Sequence, residues 1–177
     1  MEIRYTIVRS TFGKLLVGIT DRGVCAVKLG DDAGALATAL REEFPRASVK
    51  RVREGDSWLK KLVARVAKYL PDGRSAPDGD IPFDVVGTSF QWRVWRELQK
   101  IPAGETRSYS EVARAIGKPK AVRAVAQACG ANRLGVVVPC HRVVRNDGSL
   151  GGYRWGLAVK ARLLDAEGAG VQVSPRL

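Results

Sequence analysis

The sequence is short of the side chains that bind metals or form disulfides. Its 177 residues include a single histidine, His141, and three cysteines at positions 25, 129 and 140. They contain no Cys-x-x-Cys pair, which argues against a tetrahedral zinc site and against a paired disulfide framework. The glycine-rich motifs GxGxxG and the P-loop are also absent, so no nucleotide cofactor is indicated. We predict a protein with reduced thiols that uses no metal and no cofactor.

Long apolar runs are missing too. No stretch reaches the roughly 18 consecutive residues that a membrane-spanning helix needs. The N-terminus, MEIRYTIVRS, alternates like a strand and lacks a signal-peptide pattern. We expect a soluble, monomeric protein of the cytoplasm, or of the nucleus in a eukaryote, with no membrane partner.

Acidic side chains are scarce relative to basic ones, at 18 against 30, which gives a formal net charge of +12. Residues 1–81 carry 15 basic and 11 acidic side chains, whereas residues 82–177 carry 15 and 7. A basic surface attracts polyanions, of which nucleic acid is the commonest. An arginine-rich surface also serves solubility, so the charge alone leaves both interpretations open.

The sequence pattern divides the chain into an α/β part and a mostly helical part. In the first, IRYTIVRS, KLLVGIT and GVCAVKLG predict three short strands, and amphipathic helices follow near 33–44 and 56–70. The stretch PDGRSAPDGDIP, residues 71–82, is rich in Pro, Gly and Asp and predicts a linker. We therefore assign an N-terminal domain to residues 1–77 and a C-terminal domain to residues 78–177.

The C-terminal part predicts a helix-turn-helix motif. Capping boxes at Thr88–Gln91 and Ser108–Glu111 mark the starts of two helices. Gly117 is expected to end the second of them. A third helix is predicted to begin at Pro119 and to end near Cys129. Two helices joined by a tight glycine-containing turn are typical of a DNA-binding module.

The third helix is predicted to have an apolar face and an opposite face of small and basic residues. The apolar spacing predicts a buried face of Val122, Val125, Ala126 and Cys129. The opposite face is expected to bear Lys120, Arg123, Ala124, Gln127 and Ala128. Small side chains allow close approach to a surface and one arginine can enter it, which fits a shallow minor-groove contact. The alanines also have a simpler explanation, because alanine favours any helix.

The stretch VVVPCHRVV, residues 136–144, places the only imidazole beside a cysteine. We predict that Val136–Val138 form a strand leading to this pair. A base can take the thiol proton, directly or through one water, and needs a third group to orient it. The C-terminal helix has an apolar face of Leu157, Ala161 and Leu164. Glu167 continues that face, so we predict a relay of Cys140, His141 and Glu167, although an adjacent Cys-His pair can also be incidental.

Several spaced motifs together resemble the O6-alkylguanine-DNA alkyltransferases. PCHRVV is preceded by SYSEVA, KPKAVRAV and an asparagine, and is followed by GSLGGYRWGLAVKARLLDAEG. The likeness is nearly continuous over about residues 87–168, whereas residues 1–81 match only in general character. The resemblance implies an α/β N-terminal domain, ribonuclease-H-like with a three-stranded sheet and helices. It implies a mostly α, winged-helix-like C-terminal domain that carries the helix-turn-helix.

The resemblance also implies an activity, that of a methylated-DNA–[protein]-cysteine S-methyltransferase. Such a protein repairs O6-alkylguanine, and by extension O4-alkylthymine, in double-stranded DNA. The damaged base is flipped into a pocket, because its O6 atom is hidden inside the stack. The alkyl group then moves irreversibly to a cysteine of the protein, which therefore acts only once.

Residue roles follow from the same resemblance. The implied catalytic set is Cys140 as acceptor, His141 as base, the carboxylate Glu167 behind it, and Asn132 at the turn before the cysteine. The residues implied to bind the flipped base are Tyr109, Val143, Tyr153, Arg154 and Trp155. The implied DNA-binding set comprises Lys120, Arg123, Ala124, Gln127 and Ala128. Arg123 is expected to enter the base stack through the minor groove.

Two positions depart from the pattern of the family. Many members have Asn-Pro where this chain has Asn132-Arg133, and Cys129 stands where an apolar residue commonly lines the pocket. Some members carry a structural zinc in the N-terminal domain, for which only Cys25 is available here. Three other functions remain possible: a non-catalytic alkyltransferase-like binder of alkylated DNA, a helix-turn-helix regulator and a thiol hydrolase. The first replaces the acceptor cysteine, and the second leaves the Cys-His-Glu set unexplained.

Overall fold

The computed structural model describes residues 1–71 and 81–170, and the chain divides into two compact units. Unit 1 comprises Met1–Val86 and Arg133–Gly135, and unit 2 comprises Gly87–Asn132 and Val136–Leu177. The expected boundary between residues 77 and 78 lies outside the described residues. None of the described helices is long and apolar enough to cross a membrane.

Unit 1 is a twisted sheet covered by helices, as the α/β pattern predicts. Its strands are β1 (Glu2–Ser10), β2 (Gly13–Ile19), β3 (Val24–Gly30) and β4 (Ser48–Arg51). Its helices are α1 (Ala33–Glu43) and α2 (Ser57–Ala67). The strand order is β3-β2-β1-β4, antiparallel except for the β1–β4 pair. One core cluster joins buried residues of the first three strands to the apolar face of α1, and β2 and β3 are buried along most of their length.

The fourth strand is a correction to the expected three-stranded sheet. β4 pairs in parallel with β1 and contains one apolar residue, Val49, in the sequence SVKR. Three of its four side chains are exposed because it lies at the edge of the sheet. A short polar edge strand has no hydrophobic alternation to reveal it, and polar side chains at such an edge prevent pairing with other chains.

The segment Arg133–Gly135 pairs with β3 although it is distant in sequence. The Val27 N–H donates to the Arg133 carbonyl at 2.8 Å, and the Gly135 N–H donates to the Val27 carbonyl at 3.1 Å. The Arg133 guanidinium lies 4.9 Å from the centre of the Phe44 ring, and its Nε is 3.0 Å from Glu43 Oε1. Buried Lys28 donates to the other oxygen of the same carboxylate.

Unit 2 is mostly helical, as predicted. Its elements are α3 (Ser89–Leu98), β5 (Arg107–Ser108), α4 (Tyr109–Ala115), α5 (Val122–Gly130), a 3-10 turn (Cys140–Arg142), β6 (Val143–Val144) and α6 (Leu157–Ala166). Both predicted capping boxes are confirmed. The Thr88 and Ser108 side chains each accept a hydrogen bond from the backbone N–H three residues on, and the Thr88 and Ser108 backbone N–H groups donate to the Gln91 and Glu111 side chains in return. Parallel pairing of β5 with β6 brings the start of α4 beside the residues that follow the 3-10 turn.

The expected start of α5 at Pro119 is wrong. Gly117 has φ +73° and ends α4 as predicted, but residues 118–121 form a turn closed by a 2.8 Å bond from the Ala121 N–H to the Lys118 carbonyl. α5 therefore begins at Val122. The helix-turn-helix is present, with a longer turn than the sequence predicts.

The expected faces of α5 are partly wrong as well. Its buried residues are Val125, Ala128 and Cys129, and Ala126 is exposed. Ala128 is 2% exposed, and its carbonyl accepts a 2.8 Å hydrogen bond from the indole N–H of Trp95 on α3. Val125 and Cys129 are buried on the same side of the helix as this contact. Ala128 therefore lies in the core, and its predicted place on the exposed face of α5 is wrong.

Two further expectations are corrected. Val136–Val138 form a turn, and Val136 has φ +62°, a left-handed conformation that is costly for a β-branched residue.

In α6 the buried residues are Val159, Lys160, Leu163 and Leu164, whereas Leu157 is 50% exposed. Leu157 is the first residue of the helix, where the apolar spacing does not guarantee burial.

Candidate active site

Cys140 is the first residue of the 3-10 turn and is 4% exposed. Its Sγ accepts a hydrogen bond from the Asn132 side-chain amide at 3.2 Å. The same Nδ2 donates to the Val138 carbonyl at 2.9 Å, so one buried amide holds both the turn before the cysteine and the sulfur itself. The Asn132 side chain thus fixes the sulfur against the preceding backbone.

The thiol of Cys140 is protonated at rest. Burial raises its pKa, and the hydrogen bond from Asn132 and the charge of Lys160 oppose this only in part. A thiol is a weak nucleophile until its proton is removed. The site therefore requires a base if Cys140 is to react.

His141 is fully buried and follows the cysteine directly. Its Nε2 lies 2.9 Å from Glu167 Oε1, and its Nδ1 has no hydrogen-bond partner among the described residues. Burial lowers the pKa of His141, although the Glu167 carboxylate opposes this shift, so the ring is neutral near pH 7. Because a carboxylate only accepts, Nε2 carries the hydrogen of the neutral ring and Nδ1 carries the lone pair.

Glu167 follows the last turn of α6 and is held by two neighbouring residues of the 3-10 turn. Arg142 binds it with both ends of its guanidinium, Nε to Oε2 at 3.0 Å and Nη2 to Oε1 at 2.9 Å, and Nη1 donates to the Ile101 carbonyl at 2.6 Å. Burial opposes ionisation of Glu167, but the hydrogen bonds from His141 and Arg142 outweigh it and hold the pKa at about 2. Glu167 is therefore a permanent carboxylate that orients the imidazole.

Two aromatic residues flank this set. The Tyr153 ring packs edge-on against His141 at 6.4 Å and against Trp155 at 5.2 Å. Its buried hydroxyl has no hydrogen-bond partner among the described residues. Burial raises the pKa of Tyr153 well above its usual range, so the phenol keeps its proton at neutral pH and is available as a donor.

Tyr109 is the first residue of α4, and its hydroxyl lies against the loop before Tyr153. A Cβ atom added to Gly151 would approach the Tyr109 hydroxyl oxygen to 3.0 Å, and the Gly152 backbone hydrogen-bonds to Tyr109. Burial raises the pKa of Tyr109 to about 12. The tyrosine is thus beside the loop that leads to Tyr153 and Trp155.

The remaining residues predicted to bind a base already have backbone partners. The Val143 carbonyl accepts from Lys160 Nζ at 2.6 Å, which leaves one lone pair of that carbonyl for another donor. Exposed Arg154 donates to the Asn132 carbonyl at 3.3 Å and makes a longer contact with Gly130. Arg154 thereby supports the backbone of the residue that holds the cysteine.

The predicted DNA-binding residues lie on or next to α5. Lys120 and Arg123 are exposed, as is Gln127, and Ala124 is half-buried. Ala126 joins this exposed face in place of Ala128. The face thus keeps its small and basic character after the correction.

One cavity and the absence of a metal-binding cluster among the described residues bear on alternative sites. A cavity of about 670 Å³ is lined by α3 and the end of α4, including Trp92, Arg96 and Ile116, and by none of the predicted catalytic residues. No group of three or more His, Cys, Asp or Glu side chains in the described part of the chain could hold a metal ion. The three cysteines are unpaired and buried.

Comparison with known proteins identifies the family to which this chain belongs. The model of the 6-O-methylguanine DNA methyltransferase DNA-binding domain matches residues 89–169. A methylated-DNA–protein-cysteine methyltransferase of Lodderomyces elongisporus is 35% identical over 92% of this chain and 91% of that protein. The chain belongs to the methylated-DNA–protein-cysteine methyltransferase family.

Other members of the methyltransferase family extend the likeness. The Escherichia coli bifunctional transcriptional activator/DNA repair enzyme Ada is 47% identical over 94% of this chain, which spans 46% of that protein. The crystal structure of the Mycobacterium tuberculosis O6-methylguanine methyltransferase has 30% identity, covers 97% of this chain and 96% of its own, and superposes with a TM-score of 0.74. The Mycobacterium tuberculosis OGT in complex with DNA gives a TM-score of 0.72 at 31% identity, with 94% and 93% coverage.

The structure of this methyltransferase-family chain contains two site residues that the sequence does not reveal. Arg142 forms the bidentate pair with Glu167, and Lys160 is fully buried beneath Val143. Arg142 follows His141 in the sequence CHR, so the sequence shows that it lies near the site. The sequence does not show that its partner is Glu167. Lys160 sits at a core position of α6, and the only signal was a charged residue between apolar ones.

Proposed function

We propose that this protein repairs O6-alkylguanine in double-stranded DNA by moving the alkyl group once, irreversibly, to Cys140. The observation that supports this most directly is the buried sulfur held by Asn132 next to a neutral histidine that Glu167 and Arg142 orient. A hydrolase would need repeated access of water to a covalent intermediate. A buried thiol with a single base suits one displacement.

The chemistry balances with the side chains described. His141 takes the proton of Cys140 through one water at Nδ1, and Glu167 stabilises the imidazolium that forms. The sulfur attacks the alkyl carbon, a C–S bond forms, the carbon–O6 bond breaks, and its electron pair passes to O6. Tyr153 donates its proton to the guanine as that charge develops. The imidazolium then gives up the proton it took from the thiol, the tyrosinate gains one proton, and both side chains return to their neutral forms. The product is a thioether, which has no leaving group as good as the guanine oxygen.

DNA binding is assigned to the exposed face of α5. The stacked base hides its O6, so the guanine must be extruded before the sulfur can reach it. Lys120 and Gln127 contact the backbone, Ala124 and Ala126 allow close approach, and Arg123 fills the vacated position in the stack. O4-alkylthymine presents the same alkyl–oxygen geometry and is a second substrate of this proposal. The proposed reaction uses no cofactor, and we propose that the protein acts as a monomer.

The test is a single incubation with duplex DNA that carries radiolabelled O6-methylguanine. One label per protein molecule, located on Cys140 by peptide mass spectrometry, supports the proposal. Label on Cys129 or Cys25 would mean that the acceptor is wrongly assigned. Release of label with turnover would indicate a thiol hydrolase, and tight binding of alkylated duplex without transfer would indicate a non-catalytic binder. The matched control is Cys140→Ala, which should bind alkylated duplex and acquire no label.

A further inference from the structure

Lys160 is the largest charged side chain that is completely buried in unit 2. Its Nζ donates to three backbone carbonyls, those of Val143 at 2.6 Å, Gly152 at 3.1 Å and Leu150. An ammonium group has three N–H donors, so its hydrogen-bonding capacity is fully used. Its buried charge has no ion-pair partner in the described part of unit 2. Burying a charge without an ion-pair partner is costly, and the three hydrogen bonds to the ammonium group offset part of this cost.

The three carbonyls enclose one loop, residues 145–152, between β6 and Tyr153. The loop closes on itself through a 2.9 Å bond from the Arg145 N–H to the Ser149 carbonyl. Lys160 ties both of its ends together, since Val143 lies before the loop and Gly152 completes it. From the other side the loop touches the hydroxyl of Tyr109. The 145–152 loop is therefore held between a buried ammonium group and a tyrosine.

This loop leads directly into Tyr153 and Trp155. Resting on the function proposed above, we propose that Lys160 is a positioning residue: its ammonium group fastens the 145–152 loop to β6 and thereby sets Tyr153 and Trp155 for capture of the flipped base. Lys160 touches neither the sulfur nor the base in this scheme. Its effect on the reaction passes through the loop.

The proton on Lys160 decides whether the loop is held. Burial lowers its pKa to about 8, Cys140 on the 3-10 turn and Cys129 on α5 act in the opposite direction, and Arg145 beyond β6 lowers it further. Below pH 8 the ammonium form keeps all three bonds. As the pH rises through 8 the neutral amine loses one donor and its charge, so the loop loosens. Base capture should therefore weaken on the alkaline side.

The experiment separates capture from chemistry by using the free nucleoside O6-methyl-2′-deoxyguanosine, which needs no DNA-binding surface. Single-turnover rates are measured against nucleoside concentration for the natural protein, Lys160→Met and Lys160→Gln. Loss of three charge-assisted bonds in Lys160→Met should raise the half-saturating concentration by about tenfold or more, with a smaller change in the maximal rate. Lys160→Gln keeps two donors and no charge, so it should recover part of the affinity and lack the alkaline fall.

The matched control is Lys28→Met, which removes the other buried lysine, in unit 1. It should lower stability but leave the half-saturating concentration and its pH dependence unchanged. Natural affinity in Lys160→Met, or an equal loss in Lys28→Met, overturns the proposal. If neither Lys160 variant folds, the natural protein provides the test. A half-saturating nucleoside concentration that does not increase above pH 8 would also overturn the proposal.

A second measurement does not depend on transfer. Amide hydrogen exchange in residues 145–152 should be faster in Lys160→Gln than in the natural protein or in Lys28→Met. If the natural protein transfers no alkyl group at all, the proposed function fails, and this exchange experiment still decides whether Lys160 holds the loop. Unchanged exchange would remove the positioning role.

Discussion

Each unit of the molecule buries one glutamate between two nitrogen-bearing side chains. In unit 1, Glu43 binds Lys28 and Arg133, and in unit 2, Glu167 binds His141 and Arg142. The two carboxylates are similarly enclosed, with side chains 6% and 1% exposed.

The partners make the difference between these clusters. Lys28 on β3 and Arg133 bind the Glu43 carboxylate from two different segments, so the Glu43 cluster holds β3, α1 and the Arg133 segment together. In the Glu167 cluster one partner is a neutral imidazole whose second nitrogen has no partner among the described residues. That cluster can gain and lose a proton next to Cys140. A buried carboxylate alone therefore does not mark a reactive site, whereas one bound to a titratable ring beside a nucleophile does.

The largest test of this contrast is a matched pair of substitutions, Glu167→Gln and Glu43→Gln. Glu167→Gln should slow alkyl transfer about 100-fold or more, because the imidazolium loses its counter-charge and orientation. Glu43→Gln should leave the rate unchanged and cost about 3 kcal/mol of unfolding free energy, because two cations lose their partner. Single-turnover kinetics and urea unfolding measure the two effects. Equal slowing by both substitutions would mean that the clusters do not differ in the way described.

Alkylation of Cys140 should destabilise unit 2 and not the Glu43 cluster. A methyl group added to a 4% exposed sulfur overpacks its surroundings, which typically costs about 1–3 kcal/mol. The thioether sulfur is also a poorer acceptor for Asn132. A thermal melt of the protein before and after stoichiometric reaction, with the DNA removed, should show a decrease of several degrees, larger for larger alkyl groups. A product as stable as the free thiol would contradict a tightly packed sulfur.

The stability of the protein should decrease on mild acidification, in part because of His141 in the Glu167 cluster. His141 is the only histidine of the chain, and its pKa is lowered by burial. In the unfolded chain His141 becomes protonated near pH 6.5, whereas in the folded protein it stays neutral at that pH. The free energy of unfolding therefore decreases as the pH falls below about 6.5. One proton corresponds to a slope of at most about 1.4 kcal/mol per pH unit. Urea midpoints between pH 7 and 5 measure it, and His141→Asn should flatten the slope; a slope that survives this change has another origin.

The smallest effect concerns the wall of the site. The Trp155 ring packs on Tyr153, and we expect it to narrow the entrance and to disfavour bulky O6 substituents. Trp155→Gly should raise the rate of benzyl transfer relative to methyl transfer by roughly tenfold or less. The free energy of unfolding of unit 1, which contains the Glu43 cluster, should not change in Trp155→Gly. Competition between the two alkylated nucleosides provides the measurement, and an unaltered ratio would count against this role.

The sequence predicts the parts of this structure that depend on local signals. The capping boxes at Thr88 and Ser108 identify two helix starts because each is complete within four residues. Short apolar segments joined by the turns TFGK and TDRG predict β1 to β3, and the stripe along α6 predicts that Glu167 points inward. These features are fixed by neighbours in the chain.

The features that the sequence misses depend on distant contacts. Ala126 and Ala128 carry the same hydrophobic signal, and contacts with distant segments, such as the bond from the Trp95 indole to the Ala128 carbonyl 33 residues away, accompany the burial of Ala128. Lys160 looks like an exposed residue until three carbonyls from another segment surround it. The bidentate pairing of Arg142 with Glu167 spans 25 residues and is likewise invisible in the pattern.

The segment Arg133–Gly135 has a consequence for how such a chain can be rearranged by gene fusion or recombination. It pairs with β3 in unit 1, while the residues on both sides of it belong to unit 2. Unit 2 is therefore not a continuous piece of the gene, although the two units are compact. A recombination event that joined unit 2 to a different partner would leave three residues, a few positions before Cys140, without the strand they pair with. Exchanges should succeed only when both units are inherited together, or when the new partner supplies an edge equivalent to Val27.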